Sequence, residues 1–152
     1  PNSSDLLYAR AMVAEELDQL DLLERDLKAV LEDDPDNAQA LNALGYTLAD
    51  RTERFQEAYR YVSRALEQSP EDPAILDSMG WVLYRLGRTE EALKYLRRAA
   101  ARFTDPEVAA HLGEVLWQTG RREEAQRVWD KASESHPDAE ILNRTRARFL
   151  GR

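Results

Sequence analysis

The sequence contains no cysteine, which excludes disulfide bonds, thiolate metal sites and cysteine nucleophiles. It has no apolar run near the roughly 18 residues that a membrane-spanning helix needs. Its two histidines, His111 and His136, lie far apart with no partner at metal-ligand spacing. Neither a glycine-rich phosphate loop nor a nucleophile elbow occurs. We therefore expect no enzymatic activity, no catalytic residues, no metal and no other cofactor.

Basic residues are the minority, with 21 against 29 acidic ones and a net charge of −8. An acidic chain repels phosphates, so we do not expect nucleic acid as a partner. The first residues have neither the basic stretch nor the apolar core of a signal peptide. Because the chain starts at Pro1 rather than Met, we expect an excerpt of a longer protein or a processed chain, in either case a soluble fragment from which a targeting signal could have been removed.

What the chain does contain is an internal repeat. Three similar segments each carry a central glycine. Each segment is followed by three small or apolar residues, and the spacing within each of these sets is four and then three positions. The first segment is followed by Pro70 and the third by Pro137. The segments are Leu41–Leu48, Leu76–Leu83 and Ala109–Leu116, and the sets are Ala58, Val62, Ala65; Ala92, Leu96, Ala99; and Ala125, Trp129, Ala132.

Apolar residues three and four positions apart lie on one face of a helix, so each repeat predicts a helical hairpin. The small residues predict close approach of the two helices. Asp72 and Asp105, each followed by proline, predict N-caps, and Gly87 and Gly120 predict left-handed C-caps. The turn after Gly45 is one residue longer, so we expect a different local geometry there.

These residues resemble the tetratricopeptide repeat (TPR), whose usual period is about 34 residues. The resemblance implies an all-α, right-handed superhelical solenoid of about four hairpins plus a C-terminal capping helix. We expect a single TPR domain over 1–152. Its repeats are a degenerate 4–37, then 38–72, 73–105 and 106–138, with the capping helix at 139–150 and Ile141, Leu142, Thr145 and Phe149 facing inward.

In TPR proteins the first helix of each hairpin lines a concave groove that holds an extended or helical peptide. The resemblance thus implies a protein or peptide partner. Tyr8 and Met12 are weaker contributions from the first repeat. The predicted protein-binding groove consists of Asn42, Tyr46, Asp77, Trp81, Tyr84, Arg85, His111, Glu114, Trp117 and Gln118.

The aromatic members of this set favour binding, because Tyr and Trp are enriched among interface hot spots. The alternative is that Trp81 and Trp117 fill space between adjacent first helices. Trp129 instead occupies a second-helix packing position, and we expect it in the core.

A carboxylate clamp of the kind some TPR domains possess is not expected, since the matching positions hold Asn42, Asp77 and Ala110 without a lysine. Arg85 and His111 could instead hold one acidic group of a ligand between the two groove tryptophans.

A closer resemblance is carried by Ala43–Thr52, Ile75–Gly87 and Ala109–Trp117. These stretches resemble the C-terminal repeats of large proteobacterial outer-membrane TPR lipoproteins, some of which deliver cell-wall hydrolases to a carboxy-terminal processing protease. The resemblance implies a scaffold or adaptor on the periplasmic side of the outer membrane, with a lipid anchor upstream. The alternative function is self-association without a peptide ligand, through the end hairpins and Phe149 as a homo-oligomer.

Overall fold

The structure, a computed structural model, describes residues 3–102 and 104–151. Over these residues the chain is helical and contains no strand. None of the described helices combines the length and apolar character needed to cross a membrane. The helices are α1 (Ser3–Glu16), α2 (Leu20–Asp33), α3 (Ala38–Arg51), α4 (Phe55–Gln68), α5 (Pro73–Arg85), α6 (Thr89–Arg102), α7 (Pro106–Gln118), α8 (Arg122–Ser135) and α9 (Glu140–Leu150).

The chain divides into two compact units, Pro1–Glu71 and Asp72–Arg152. In the first unit α1 pairs with α2 and α3 with α4, while α2 also packs against α3. In the second unit α5 pairs with α6 and α7 with α8, α6 packs against α7, and α9 lies against α7 and α8. The predicted all-α class, with four hairpins and one terminal helix, is confirmed. The single-domain boundaries stay a prediction.

Close approach of the paired helices depends on three glycines. A Cβ on Gly45 would lie 2.5 Å from Val62 Cγ2 on α4, and one on Gly80 would lie 2.5 Å from Leu96 Cγ on α6. A Cβ on Gly113 would lie only 1.9 Å from the Trp129 ring nitrogen on α8. These distances confirm that the glycines are where the hairpin helices touch, and Trp129 is fully buried as expected.

The predicted helix ends are also present. The Asp72 carboxylate accepts a hydrogen bond from the Ala74 N–H, and the Asp105 carboxylate accepts from the N–H of Glu107. Gly87 adopts φ +84°, in the left-handed region that a side chain disfavours.

The longer turn after Gly45 uses another solution. Helix α3 continues to Arg51, and Thr52 then adopts extended backbone with φ −137° and ψ −179°. The Thr52 hydroxyl donates to the carbonyl of Leu48 at 2.5 Å, and its oxygen accepts from the Arg54 N–H at 3.0 Å. The extra residue is therefore absorbed by an extended threonine cap instead of a left-handed glycine.

An ion pair that the sequence pattern did not predict ties the first hairpin together. Asp26 on α2 is 1% exposed, and both of its oxygens accept hydrogen bonds from Arg10 on α1, from Nε at 2.7 Å and from Nη2 at 2.8 Å. Hydrogen bonding to this guanidinium lowers the pKa of Asp26. A planar bidentate contact of this kind offsets the cost of burying a carboxylate.

We predict that Gly113→Ala lowers the free energy of unfolding by about 1–3 kcal/mol or more, because the new Cβ overlaps a rigid buried indole. Gly87→Ala is the matched control: nothing lies within 4 Å of the added Cβ, so its cost is only the left-handed backbone, about 1–2 kcal/mol. Urea unfolding followed by circular dichroism measures both. An unchanged midpoint for Gly113→Ala would contradict the close approach.

We predict that Arg10→Met destabilises the protein at neutral pH, because it leaves the buried Asp26 carboxylate without its partner. In the wild type, the lowered pKa of Asp26 gives stability that is present above its unfolded pKa, near 4, and lost as pH falls through the folded pKa. In the variant, burial raises that pKa, so mild acid restores stability. Thermal melts from pH 7 to 4 should show the two proteins converging, and a constant difference would contradict this assignment.

Candidate protein-binding surface

A buried polar pair joins the two first helices of the second unit. His111 on α7 places its Nδ1 3.0 Å from Oδ1 and 3.1 Å from Oδ2 of Asp77 on α5. Asp77 is 5% exposed and His111 4%. An ionised carboxylate only accepts hydrogen bonds, so Nδ1 carries the proton in this contact.

Trp81 covers this pair. Its ring stacks on the His111 imidazole with centroids 4.2 Å apart and planes inclined by 24°. The Tyr84 ring centroid lies 5.1 Å from that of Trp81, with the two planes inclined by 40°. Trp81 is 5% exposed. The expectation of an open position for Trp81 is therefore wrong, since its neighbours on α5 and α7 enclose it. The alternative, in which the ring fills space between adjacent first helices, describes it correctly.

Next to Trp81, a second polar contact links three helices of the unit. The Tyr84 hydroxyl donates to Oε2 of Glu114 at 3.1 Å, and Arg148 on α9 donates to Oε1 of the same carboxylate. Burial and then the charge of Glu114 raise the pKa of Tyr84 to about 12. Glu114 is 9% exposed, so its predicted open position is also wrong, whereas the Tyr84 ring is only half-buried.

Trp117 lies near the C-terminal end of α7. Its ring lies 5.9 Å from that of Trp129 and 6.2 Å from that of Phe149, and the Arg122 guanidinium stands 4.8 Å over its face. Trp117 remains partly exposed although three neighbours hold it. The ring is therefore both accessible and fixed in orientation.

The eight predicted residues of the second unit thus separate into a buried layer and an accessible layer. Asp77, Trp81, His111 and Glu114 are buried, so Arg85 and His111 do not together offer an open site for an acidic group. The accessible layer of the second unit consists of Tyr84, Arg85, Trp117 and Gln118. We call these four residues the α5–α7 surface.

In the first unit the predicted residues are half-buried on the first helices. Asn42 and Tyr46 lie on α3, and Tyr8 and Met12 lie on α1. The Asn42 Oδ1 atom is shielded from solvent, and within residues 3–102 and 104–151 no group donates a hydrogen bond to it. A shielded acceptor without a donor is costly and therefore uncommon.

One group of side chains in the described part of the chain has a composition that a metal ion could use. Potential ligand atoms of Asp77, Glu107 and His111 lie within 4.8 Å of one another. The first and last of these already form the hydrogen-bonded pair, which satisfies them without an ion. We assign the group a structural role.

The residue that our sequence reasoning missed here is Arg148, and a usable signal existed. His111 follows Asp77 by 34 residues, and Arg148 follows Glu114 by 34 residues. That separation is one repeat period, so such residues lie at the same level of neighbouring first helices. A search of the sequence for an acidic residue and a basic residue or histidine that are one repeat period apart would have indicated both pairs.

Comparison with known proteins agrees with this architecture. Models described as tetratricopeptide repeat match residues 8–73, 51–112 and 106–131. A relative named TPR repeat-containing protein PA4667, from Pseudomonas aeruginosa, is 52% identical over 105 residues. The match covers 69% of this chain but only 18% of that relative.

Solved structures show the same fold. TTC0263, a TPR protein of Thermus thermophilus, superposes with a TM-score of 0.82 at 24% identity, covering 97% of this chain and 81% of that one. MamA of Desulfovibrio magneticus RS-1 gives 0.72 at 15% identity, covering 90% and 77%. An O-GlcNAc transferase of Thermobaculum terrenum gives 0.78 at 21% identity, covering 87% of this chain and 26% of the enzyme.

We predict that Asp77→Ala lowers the free energy of unfolding by about 1–3 kcal/mol, because it leaves the buried His111 N–H unsatisfied. The double variant Asp77→Leu/His111→Phe, which removes both polar partners, should recover most of that loss. Chemical denaturation of the two variants tests the structural role. A double variant as unstable as the single one would contradict it.

Proposed function

The chain belongs to the tetratricopeptide repeat family, and on that premise we propose that it is a protein–protein interaction module. It binds a segment of a partner protein on the accessible faces of its first helices. The α5–α7 surface is the main contact in the second unit, and Asn42 and Tyr46 offer a separate contact in the first unit.

The observation that carries this proposal is the state of Tyr84 and Trp117. Both rings are partly exposed, yet each rests on buried neighbours: Tyr84 on Trp81 and Glu114, and Trp117 on Trp129. Because each ring is already held in place, covering it with a partner costs little of the ring's side-chain entropy. Rigid, amphipathic aromatics of this kind are typical hot spots.

Polar neighbours supply direction. Arg85 and Gln118 each follow one of these aromatic residues directly and are exposed at the ends of α5 and α7. Polar groups that only the right partner satisfies contribute specificity more than affinity.

A catalytic role is not part of the proposal. Asp77 and His111 form a buried pair that is hydrogen-bonded to each other, and the Trp81 ring covers it. Its geometry serves to hold α5 and α7 in register.

The finer proposal is an adaptor of a bacterial envelope complex, tethered by a lipid anchor at the periplasmic side of the outer membrane, that serves a carboxy-terminal processing protease. Its support is the resemblance of three first-helix stretches, Ala43–Thr52, Ile75–Gly87 and Ala109–Trp117, to such lipoproteins. Fluorescence anisotropy with a purified carboxy-terminal processing protease tests this role separately. Lack of binding there would remove the adaptor role and leave the interaction module intact.

We predict that Arg85→Glu/Gln118→Glu weakens partner binding about tenfold or more. The two new carboxylates lie beside the exposed aromatic rings, where they repel acidic groups of the bound segment and lose hydration when the segment covers them. The full chain serves as bait in bacterial lysate, the captured protein is identified by mass spectrometry, and calorimetry with the purified partner gives the affinity.

Lys94→Glu is the matched control, since it reverses a charge at an exposed position on the second helix α6. It should bind as wild type does. Equal affinity for the control and the double variant would place binding elsewhere. Concentration-dependent size in light scattering, with no captured partner, would favour self-association instead.

A further inference from the structure

Helix α1 is apolar on two sides. Ala11 and Ala14 are buried, while Leu6, Val13 and Leu17 are 63%, 54% and 62% exposed. Leu6 and Val13 are seven positions apart, which places them on one face of α1, and Leu17 directly follows the end of the helix. We call these three residues the α1 outer face.

The repeat identifies this face by register. Ala11 occupies the position that Gly45 has on α3 and Gly113 has on α7. At about 100° per residue, positions five before and two after this point lie roughly 140–160° away from it round the helix. On α1 these positions are Leu6 and Val13.

In the next hairpin the same positions are covered. On α3 they are Ala40 and Thr47, which are 0% and 7% exposed. Gly45 faces Val62 on α4, so these two residues point away from α4. Within the first unit, the other helix packed against α3 is α2, the second helix of the preceding hairpin.

The second unit repeats the arrangement with larger side chains. The matching positions on α7 are Val108 and Val115, which are 3% and 0% exposed. Gly113 faces Trp129 on α8, and α6, again the second helix of the preceding hairpin, packs against α7. Apolar side chains at these two positions therefore belong under a preceding second helix.

We propose that the α1 outer face is a repeat-stacking interface, and that its occupant is the second helix of a further TPR hairpin placed before α1. Leucine and valine at the two stacking positions match the valines of α7, which suits an apolar helix like α6. The 105 matched residues are only 18% of the Pseudomonas relative, which leaves ample chain for additional hairpins. This inference concerns a surface separate from the α5–α7 surface and does not depend on partner binding.

The test adds the missing element. A copy of residues 72–105, which carries α5, α6 and the natural spacing from α6 to α7, is inserted directly before Ser4, so that the copied α6 precedes α1 in the same register. Calorimetry should show one transition, with a melting temperature on the order of 5 °C above that of the unmodified chain. Amides of α1 should gain protection against hydrogen exchange.

Leu6→Asp/Val13→Asp is the discriminating variant. In the unmodified chain it should change the melting temperature little, because both side chains are more than half exposed. In the extended chain it should abolish the gain. An extended chain with no gain, or a variant that is equally damaging in both backgrounds, would overturn the proposal. Concentration-dependent dimerisation that this variant abolishes would also overturn it, since the occupant would then be a second copy.

Discussion

The close approach of the two helices in each hairpin is the constraint on which the rest of the structure depends. At Gly113 the backbone of α7 lies so near the Trp129 indole that even a methyl group has no room. This proximity brings whole helix faces into contact, so that isolated segments of 13 or 14 residues, marginal as free helices, become stable by burying one side. Buried alanines on α4, α6 and α8 extend the same close contact along these three pairs.

Once each hairpin is fixed, the period determines what meets across neighbouring first helices. Residues one period apart come to the same level, and the second unit uses this for two polar links, Asp77 with His111 and Glu114 with Arg148. Apolar contacts alone tolerate sliding of one helix along another. A buried polar pair does not, because any slip leaves a donor or an acceptor unsatisfied. We interpret the links as devices that hold register, which in turn keeps Tyr84 and Trp117 in position.

Whether a feature could be predicted from the sequence depends on how far apart along the chain the interacting residues are and on whether the repeats show the feature more than once. Helix pairing, Gly87 and Asp72 were predicted because they depend on local geometry that the next repeat shows again at Gly120 and Asp105. The degree of exposure of Trp81 was not, because it depends on a histidine that lies on another helix and at a different position within its repeat. The bidentate contact of Arg10 with Asp26 escaped for a related reason: it occurs in one hairpin only, so no repetition reveals it.

The same comparison of repeats explains why one first helix differs from the others. An apolar position on a first helix is ambiguous by itself, since it fits a core residue, a hot spot or a packing contact. The repeat resolves the ambiguity, because Val108 and Val115 show what the position does when a preceding hairpin is present. Leu6 and Val13 are also apolar, but they are exposed to solvent instead of being covered by a preceding helix. A terminal capping repeat would reduce this exposed apolar surface by placing polar residues there. Position within a repeat therefore separates the two kinds of exposed apolar residue in this chain: aromatics anchored for a partner and aliphatics shaped for another repeat.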